Sequence, residues 1–218
     1  MLARNRLIFL SLWLVLIFSG PITVLRNSNI DLILQNKVVL LNTLQRIVGL
    51  LAYTLLFTQI IVGSLMDRWV QILGAKAYRV HVIQGVISYA FIFVHPLFYY
   101  LINYVTLGKV VLIPDLTNIQ EIWISLGRIA LLVLTATIWT AYFRTRAPLR
   151  RNWRILHIVN YFVFYLIFLH SFLLGTDAQT APFVWIYWLA FIAVSATVIF
   201  RIYQVVRTNK ILSAQSGR

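Results

Sequence analysis

The sequence contains no cysteine. Disulfides, thiolate-held metal clusters and covalent haem attachment through C-x-x-C-H are thereby excluded, while the compartment is left open. Charge is also scarce. Only 11% of the 218 residues are charged, where a soluble domain carries about a quarter. Acids are the scarcest of these, five against nineteen lysines and arginines. What the chain has in excess is oil: 61% of it is hydrophobic and 15% aromatic. That is more apolar surface than a soluble fold of this size can bury, so the lipid bilayer is the solvent it fits. The formal net charge of +14 would suggest nucleic acid only if the cations gathered on a folded surface. They fall in short gaps between apolar runs instead, and no nucleic-acid partner is expected.

Six apolar runs are long enough to span a membrane, at about 7–25, 38–65, 80–104, 119–143, 155–174 and 183–203. Each approaches or exceeds the ~20 residues that cross a hydrocarbon core as a helix. Arg4 and Arg6 precede the first run, as they would a signal peptide. Gly20-Pro21 and further apolar residues follow it rather than a small-residue cleavage site, so it reads as a retained span. No repeat, low-complexity segment or soluble domain is apparent. The expected architecture is a single all-α integral membrane domain over residues 1–218, a six-helix transmembrane bundle.

The charges between the runs predict an orientation. With the N-terminus in the cytoplasm, fourteen of the nineteen cations fall on that side: Arg4, Arg6, Arg68, Lys76, Arg79, Arg144, Arg146, Arg150, Arg151, Arg154, Arg201, Arg207, Lys210 and Arg218. Arg26, Lys37 and Lys109 fall outside, and Arg46 and Arg128 inside spans. Four of the five acids, Asp31, Asp115, Glu121 and Asp177, lie on the outer side. This is the positive-inside pattern, and it predicts a multi-pass cell-membrane protein with both termini cytoplasmic.

The four histidines occupy two spans, His81 and His95 in the third and His157 and His170 in the fifth. A polar group at membrane depth is costly and usually faces the bundle interior with a partner or a task. At 1.5 Å per residue the two histidines of each span lie about 20 Å apart along the helix. Both helices run from inside to outside, so His81 matches His157 in depth and His95 matches His170. Each pair is placed to clamp a flat ring from both sides through imidazole nitrogens on an iron. Fourteen residues bring His81 and His95 to within about 40° of one face, whereas thirteen leave His157 and His170 about 220° beyond three turns. Tilt, a local 3₁₀ stretch or different ring orientations must absorb that mismatch. Histidines that merely hydrogen-bond between helices are the plain alternative. A zinc site fits poorly, because the pairs are far apart and no acid lies near them.

"YRVHVIQGVISYAFIFVHPLFYY" followed by "NWRILHIVNYFVFYLIFLHSFLLG" resembles the ferric-reductase-like transmembrane domain. That family includes ferric reductases, NADPH oxidases and the membrane haem subunit of bacterial methionine-sulfoxide reductase systems. The spacings of 14 and 13, Pro96 after the second histidine, Trp153 four residues before His157, and "RIVGLLAYTLLFTQIIVGS" in the second span carry the likeness, over about residues 42–203. The resemblance implies two stacked haem b groups per chain between the third and fifth spans. His81 and His157 would be axial ligands of an inner haem, and His95 and His170 of an outer one. Electrons would pass from a cytoplasmic donor to an acceptor at the outer face: a ferric chelate, a periplasmic or extracellular redox protein, or oxygen. Two departures stand out. NADPH oxidases place a further histidine where this chain has Tyr99, which speaks against a dedicated superoxide producer. The methionine-sulfoxide reductase subunit replaces the first histidine of the third span, and here His81 is present.

Arg46 and Arg128 sit roughly two turns below the outer face, near the depth of His95 and His170. They are candidates for haem-propionate or substrate contact, with snorkelling to the interface as the plain reading. Arg79, Arg150, Arg151 and Arg154 would ring the inner mouth. Gly85, one turn from His81, would make room for a porphyrin or for a helix contact. Pro96 should kink its helix. Trp13, Trp69, Trp123, Trp185 and Trp188 lie near span ends as interface anchors. Val163, flanked by Phe162 and Phe164, stands midway between the ligands of the fifth span and receives no relay role. No catalytic side chain is identified. Seventeen residues follow Arg201, too few for a flavin- and nicotinamide-binding module, so the expected donor is a separate flavoprotein reductase, a quinol, or a domain missing from this chain. Outside the redox class, a haem-free channel, transporter subunit or scaffold would use the histidines for packing or proton handling. An ascorbate-linked cytochrome b561 would spread its ligands over four helices rather than two.

Overall fold

The computed structural model describes residues 2–110, 112–146 and 149–216, without the side chains of 2–6, 149, 151–154, 210–212 and 214–216. The side chains of Arg4, Arg6, Arg151, Trp153, Arg154 and Lys210, and the whole of Arg218, therefore lie outside what it describes. The described chain is helical: α1 (Leu2–Arg26), α2 (Ile30–Gln35), α3 (Lys37–Ser64), α4 (Met66–Leu73), α5 (Lys76–Leu107), α6 (Ile119–Tyr142), α7 (Leu149–Leu174) and α8 (Phe183–Ser216), with a 3₁₀ turn at Thr176–Gln179. Six helices are long and apolar enough to cross a membrane: Leu7–Arg26, Lys37–Ser64, Lys76–Leu107, Ile119–Tyr142, Ile155–Leu174 and Phe183–Asn209. They coincide with the six predicted runs, though the third and sixth extend further into polar sequence. The short helices α2 and α4 were not expected.

Helix is the only open-ended element that satisfies its own backbone in hydrocarbon, and the loops carry the chemistry that starts and stops it. Asn36 caps α3, its side chain accepting from the backbone N–H of Val38 and Val39, and Asn118 caps α6 through Gln120. Gly108 closes α5 in the left-handed region at φ 68°, where a Cβ would be strained. Within the spans, Thr43, Thr54, Thr58 and Ser64 turn their hydroxyls back onto carbonyls of their own helix, which satisfies these four inside the segment.

α3 is the hub. In the most apolar 18-residue stretch of its span 61% of the residues are buried, against 11–28% in the corresponding stretches of the other five. It packs on α1, α5 and α8, while α6 packs on α7. Tyr53 of α3 stacks on Tyr187 of α8 with ring centres 5.0 Å apart and donates a hydrogen bond to the Tyr187 carbonyl. Phe164 of α7 and Phe183 of α8 complete this buried aromatic cluster. The result is two antiparallel pairs, α3 with α5 and α6 with α7. α5 and α7 share little close backbone contact, although both carry the histidines. α5 runs unbroken through Pro96.

Candidate functional site

Two ends of the bundle can be distinguished by charge. The basic end exposes Arg68, Lys76, Arg79, Arg144, Arg146, Arg150 and Arg207. The other end, called acidic below, carries four of the five acids, Asp31, Asp115, Glu121 and Asp177, beside Arg26, Lys37 and Lys109. The histidines divide between these ends as their spacing predicts. His95 and His170 meet at the acidic end, with ring centres 6.3 Å apart and planes at 89°. His81 and His157 lie toward the basic end, in the first halves of α5 and α7.

The acidic-end pair is built twice by one rule. His95 Nδ1 lies 3.0 Å from the Gln45 carbonyl of α3, and His170 Nδ1 lies 2.9 Å from the Trp123 carbonyl of α6. A carbonyl can only accept, so Nδ1 of each ring carries the proton and Nε2 has the free lone pair. Among the described residues no hydrogen bond reaches Nε2 of either ring. In both cases a glycine stands four residues past the carbonyl. A Cβ on Gly49 would lie 2.8 Å from His95 Cε1, and one on Gly127 would lie 2.8 Å from His170 Cε1. The residue at that position bonds to the same carbonyl along the helix, so its Cβ would stand where the imidazole enters.

The basic-end pair departs from this rule. Gly63 cradles His81, with a Cβ there falling 2.9 Å from Cε1. But the Gln59 amide nitrogen donates to the His81 carbonyl at 2.9 Å and sits 3.3 Å from His81 Nε2. His81 Nδ1 is buried without a hydrogen-bond partner. Gly85 makes room for Gln59, since a Cβ on it would meet the amide nitrogen at 2.8 Å. His157 leans on its own helix: Nδ1 lies 3.3 Å from the side-chain amide of Asn160, whose other end meets Thr137 of α6 at 2.6 Å. α7 is α-helical from end to end. The thirteen-residue mismatch is thus not absorbed by a 3₁₀ stretch, and the two rings take different partners.

The two span-buried arginines also differ. Arg46 forms a two-pronged pair with Asp177 of the 3₁₀ turn, Nε to Oδ2 at 2.6 Å and Nη2 to Oδ1 at 2.7 Å, and it reaches Ser28 at 3.2 Å. Asn27 donates to the same carboxylate at 2.8 Å. Burial alone would raise the Asp177 carboxyl, but the bonds from Arg46 and Asn27 outweigh it and hold the group below the usual carboxylate range. Arg128 reaches Glu121 only through Nη1, at 3.1 Å, and its Nε and Nη2 are buried without a partner. Glu121 takes the Tyr99 hydroxyl at 2.5 Å, and the Arg128 guanidinium lies 5.7 Å over the Tyr99 ring. The position where an oxidase would carry a histidine is therefore tied into an acid–cation cluster.

Gly49, Gly63, Gly127 and Asn160 were not singled out in the sequence, although Gly49 and Gly63 stand fourteen apart, the same interval as His81 and His95. Arg79 and Arg150 are exposed. Val163 and Phe164 are fully buried and Phe162 faces outward. Trp185 is exposed, as an interface anchor would be.

A family profile described as ferric reductase like transmembrane component matches residues 48–168. The matched stretch takes in Gly49, Gly63, Gly127 and three of the histidines, with His170 two residues beyond it. Neither a curated protein nor a solved structure matches the chain. Proteins of this family typically bind haem. With more than half of its length inside that profile and six helices able to cross a bilayer, the chain is a multi-pass membrane protein that belongs to the ferric-reductase-like transmembrane family, whose general function is transmembrane electron transfer.

Proposed function

We propose that this chain is a di-haem electron carrier, with His95 and His170 holding one haem b at the acidic end and His81 and His157 a second at the basic end. The observation that carries the reading is the outer pair's geometry. Two imidazoles that share one iron at about 2 Å each, with a ring radius of about 1.1 Å, have centres roughly 6.2 Å apart. The ring centres of His95 and His170 stand close to that, at 6.3 Å. The fit extends to the protons. Each Nδ1 is committed to a carbonyl, which leaves Nε2 as the metal-binding atom and raises its basicity. When bound, haem would supply one-electron redox chemistry.

The protein's own groups orient and shield that chemistry. Gly49, Gly63 and Gly127 admit the rings to their supporting helices, and the sparse backbone contact between α5 and α7 suits a planar guest. Arg128 offers the unpartnered Nε and Nη2 edge that takes a carboxylate in two-pronged fashion, so it is the better candidate for a propionate or an anionic acceptor. Arg46 already spends that edge on Asp177. The basic end faces the cytoplasm by the positive-inside pattern. Its exposed cations suit an acidic donor such as a flavoprotein reductase, with a quinol as the other donor class. The acceptor is met at the acidic end, as a ferric chelate or a redox protein rather than oxygen, because Tyr99 is engaged by Glu121.

The test is the dithionite-reduced minus oxidised spectrum of the purified protein with quantified haem. Two b-type haems per chain are expected. A colourless, iron-free preparation from haem-replete cells would overturn the reading in favour of histidines used for packing.

A further inference from the structure

The structure assigns Tyr99 the part of a positioning residue for Arg128. Its hydroxyl draws one oxygen of Glu121 toward α5 and so keeps the two-pronged edge of the Arg128 guanidinium free for a haem propionate. The propionate belongs to the di-haem reading above, on which this rests. The three side chains stand against the acidic-end pair. Tyr99 lies one turn beyond His95 on α5, and Arg128 follows Gly127, the cradle of His170. Arg128 and Glu121 are largely covered, with 19% and 15% of their side chains exposed. A charge or polar atom left unpaired there is costly.

The donors can be counted. A guanidinium has five N–H groups. Arg128 Nη1 gives one to Glu121 Oε2 at 3.1 Å and has Ser125 Oγ at 3.4 Å for the other. Ser125 is free to accept, because its own proton goes to the Glu121 carbonyl at 2.8 Å. The edge formed by Nε and Nη2 has no partner among the described residues. A carboxylate can take that edge with both oxygens, as Asp177 takes the same edge of Arg46. Glu121 does not. Its Oε1 is drawn to the Tyr99 hydroxyl, which donates to it at 2.5 Å. The Tyr99 ring also lies 5.7 Å from the guanidinium carbon, a distance at which a ring face attracts a cation. Tyr100 beside the guanidinium and Asn103 beside the Tyr99 hydroxyl are further polar neighbours, and neither hydrogen-bonds the open edge.

Without the Tyr99 hydroxyl, Oε1 becomes a covered acceptor that lacks a partner, beside covered donors that lack one too. The two-pronged pair satisfies both, and it takes the edge away from the propionate. A cation near haem favours the reduced form, which carries one more electron. Drawing the cation back therefore lowers the potential.

The test is a redox titration of the haem-loaded protein in Tyr99→Phe, Glu121→Gln and the double variant. The acidic-end haem is the component that vanishes in His170→Leu. Tyr99→Phe should move that component about threefold toward ferric, the size expected when a unit charge about 6 Å away retreats by about 2 Å at an effective dielectric of about 20. That is roughly 30 mV at about 59 mV per decade for one electron. The basic-end component should stay where it is. Glu121→Gln should raise the acidic-end potential, and adding Tyr99→Phe to it should change nothing more, because no carboxylate remains to swing onto the arginine. An equal fall from Tyr99→Phe with and without Glu121 would overturn the assignment, and so would an unmoved potential. If Tyr99→Phe alone loses the acidic-end haem, its return in the double variant supports the assignment and its continued loss overturns it.

A second readout needs no haem. In thermal unfolding, Tyr99→Phe should cost less where Arg128 remains to re-pair with Glu121 than in an Arg128→Ala background. Additive losses would overturn the assignment. A preparation without haem sinks the di-haem reading, while this cycle still judges the bond between Tyr99, Glu121 and Arg128.

Discussion

His95 and His170 are held alike; His81 and His157 are held differently from them and from each other. At the acidic end both rings lean on a helix carbonyl across a glycine, Gln45 with Gly49 and Trp123 with Gly127. At the basic end Gly63 admits His81, but Gln59 occupies its Nε2 side, and His157 is served by Asn160. A backbone carbonyl is fixed by the helix and is the same in every sequence. A side chain can be exchanged, and its donor and acceptor ends can be turned. The acidic end is therefore the rigid site and the basic end the adjustable one.

The largest effect that would break this comparison comes from filling the cradles. Gly49→Leu or Gly127→Leu should abolish the acidic-end haem and about halve the haem per chain, leaving the basic-end component and its potential intact. Even a bare Cβ would sit 2.8 Å from either ring, closer than apolar atoms pack, so the alanine variants should lose part of the haem or shift its potential. Gly63→Leu should remove the other component instead. Haem content and potentials unchanged in all three leucine variants would show that the glycines serve only helix packing.

The arginines give a second, smaller contrast. Asp177→Ala leaves the Arg46 guanidinium without its carboxylate, and breaking a buried pair of this kind costs roughly 3 kcal/mol. Arg128→Ala should cost less in thermal stability, since half of its fork is already unpaired, and should instead move the acidic-end potential or the rate of acceptor reduction. The Arg46 pair also carries a pH signature. The Asp177 carboxyl titrates lower in the fold than in the unfolded chain, so its contribution is complete above the ordinary carboxylate value. That contribution is lost as pH falls below the ordinary carboxylate range and through the depressed value. Asp177→Asn should flatten that part of the stability–pH curve measured in detergent. A wild-type curve already flat there would mean that Arg46 and Asp177 contribute nothing net.

Much of the bundle was legible because hydrocarbon leaves so few options. The six runs, the alternation of basic and acidic loops and the depth-matching of the histidines follow from periodicity and spacing, and the spans moved by only a few residues. α2 and α4 were not legible, since helices of six and eight residues are set by their caps and by the surface they lie on. The cradles were half legible. The fourteen-residue interval between Gly49 and Gly63 mirrors that of His81 and His95, but an interval does not say which side of a helix faces which. Arg46 was expected near a propionate, and nothing in the sequence ties it to Asp177, 131 residues away. Asn160 was invisible for a different reason: its contact with Thr137 joins α7 to α6 across 23 residues of sequence, and that is a fact of packing.

The smallest effect tests Gln59, the side chain that separates His81 from the acidic-end histidines. Its amide donates to the His81 carbonyl and touches Nε2, while its own Oε1 and His81 Nδ1 are both buried without partners. A ring whose Nε2 is to bind iron gains nothing from an amide beside that atom. It would gain from an acceptor at Nδ1. Gln59→Leu removes the competing donor and one unpaired oxygen without changing the space beside Gly85 by much. Haem content should therefore hold, and the basic-end potential should move by less than about tenfold in the ferric-to-ferrous ratio. A larger shift would instead make Gln59 a main control on the basic-end site. Loss of the basic-end haem would show that the bond to the His81 carbonyl, rather than the glycine, holds that ring in place.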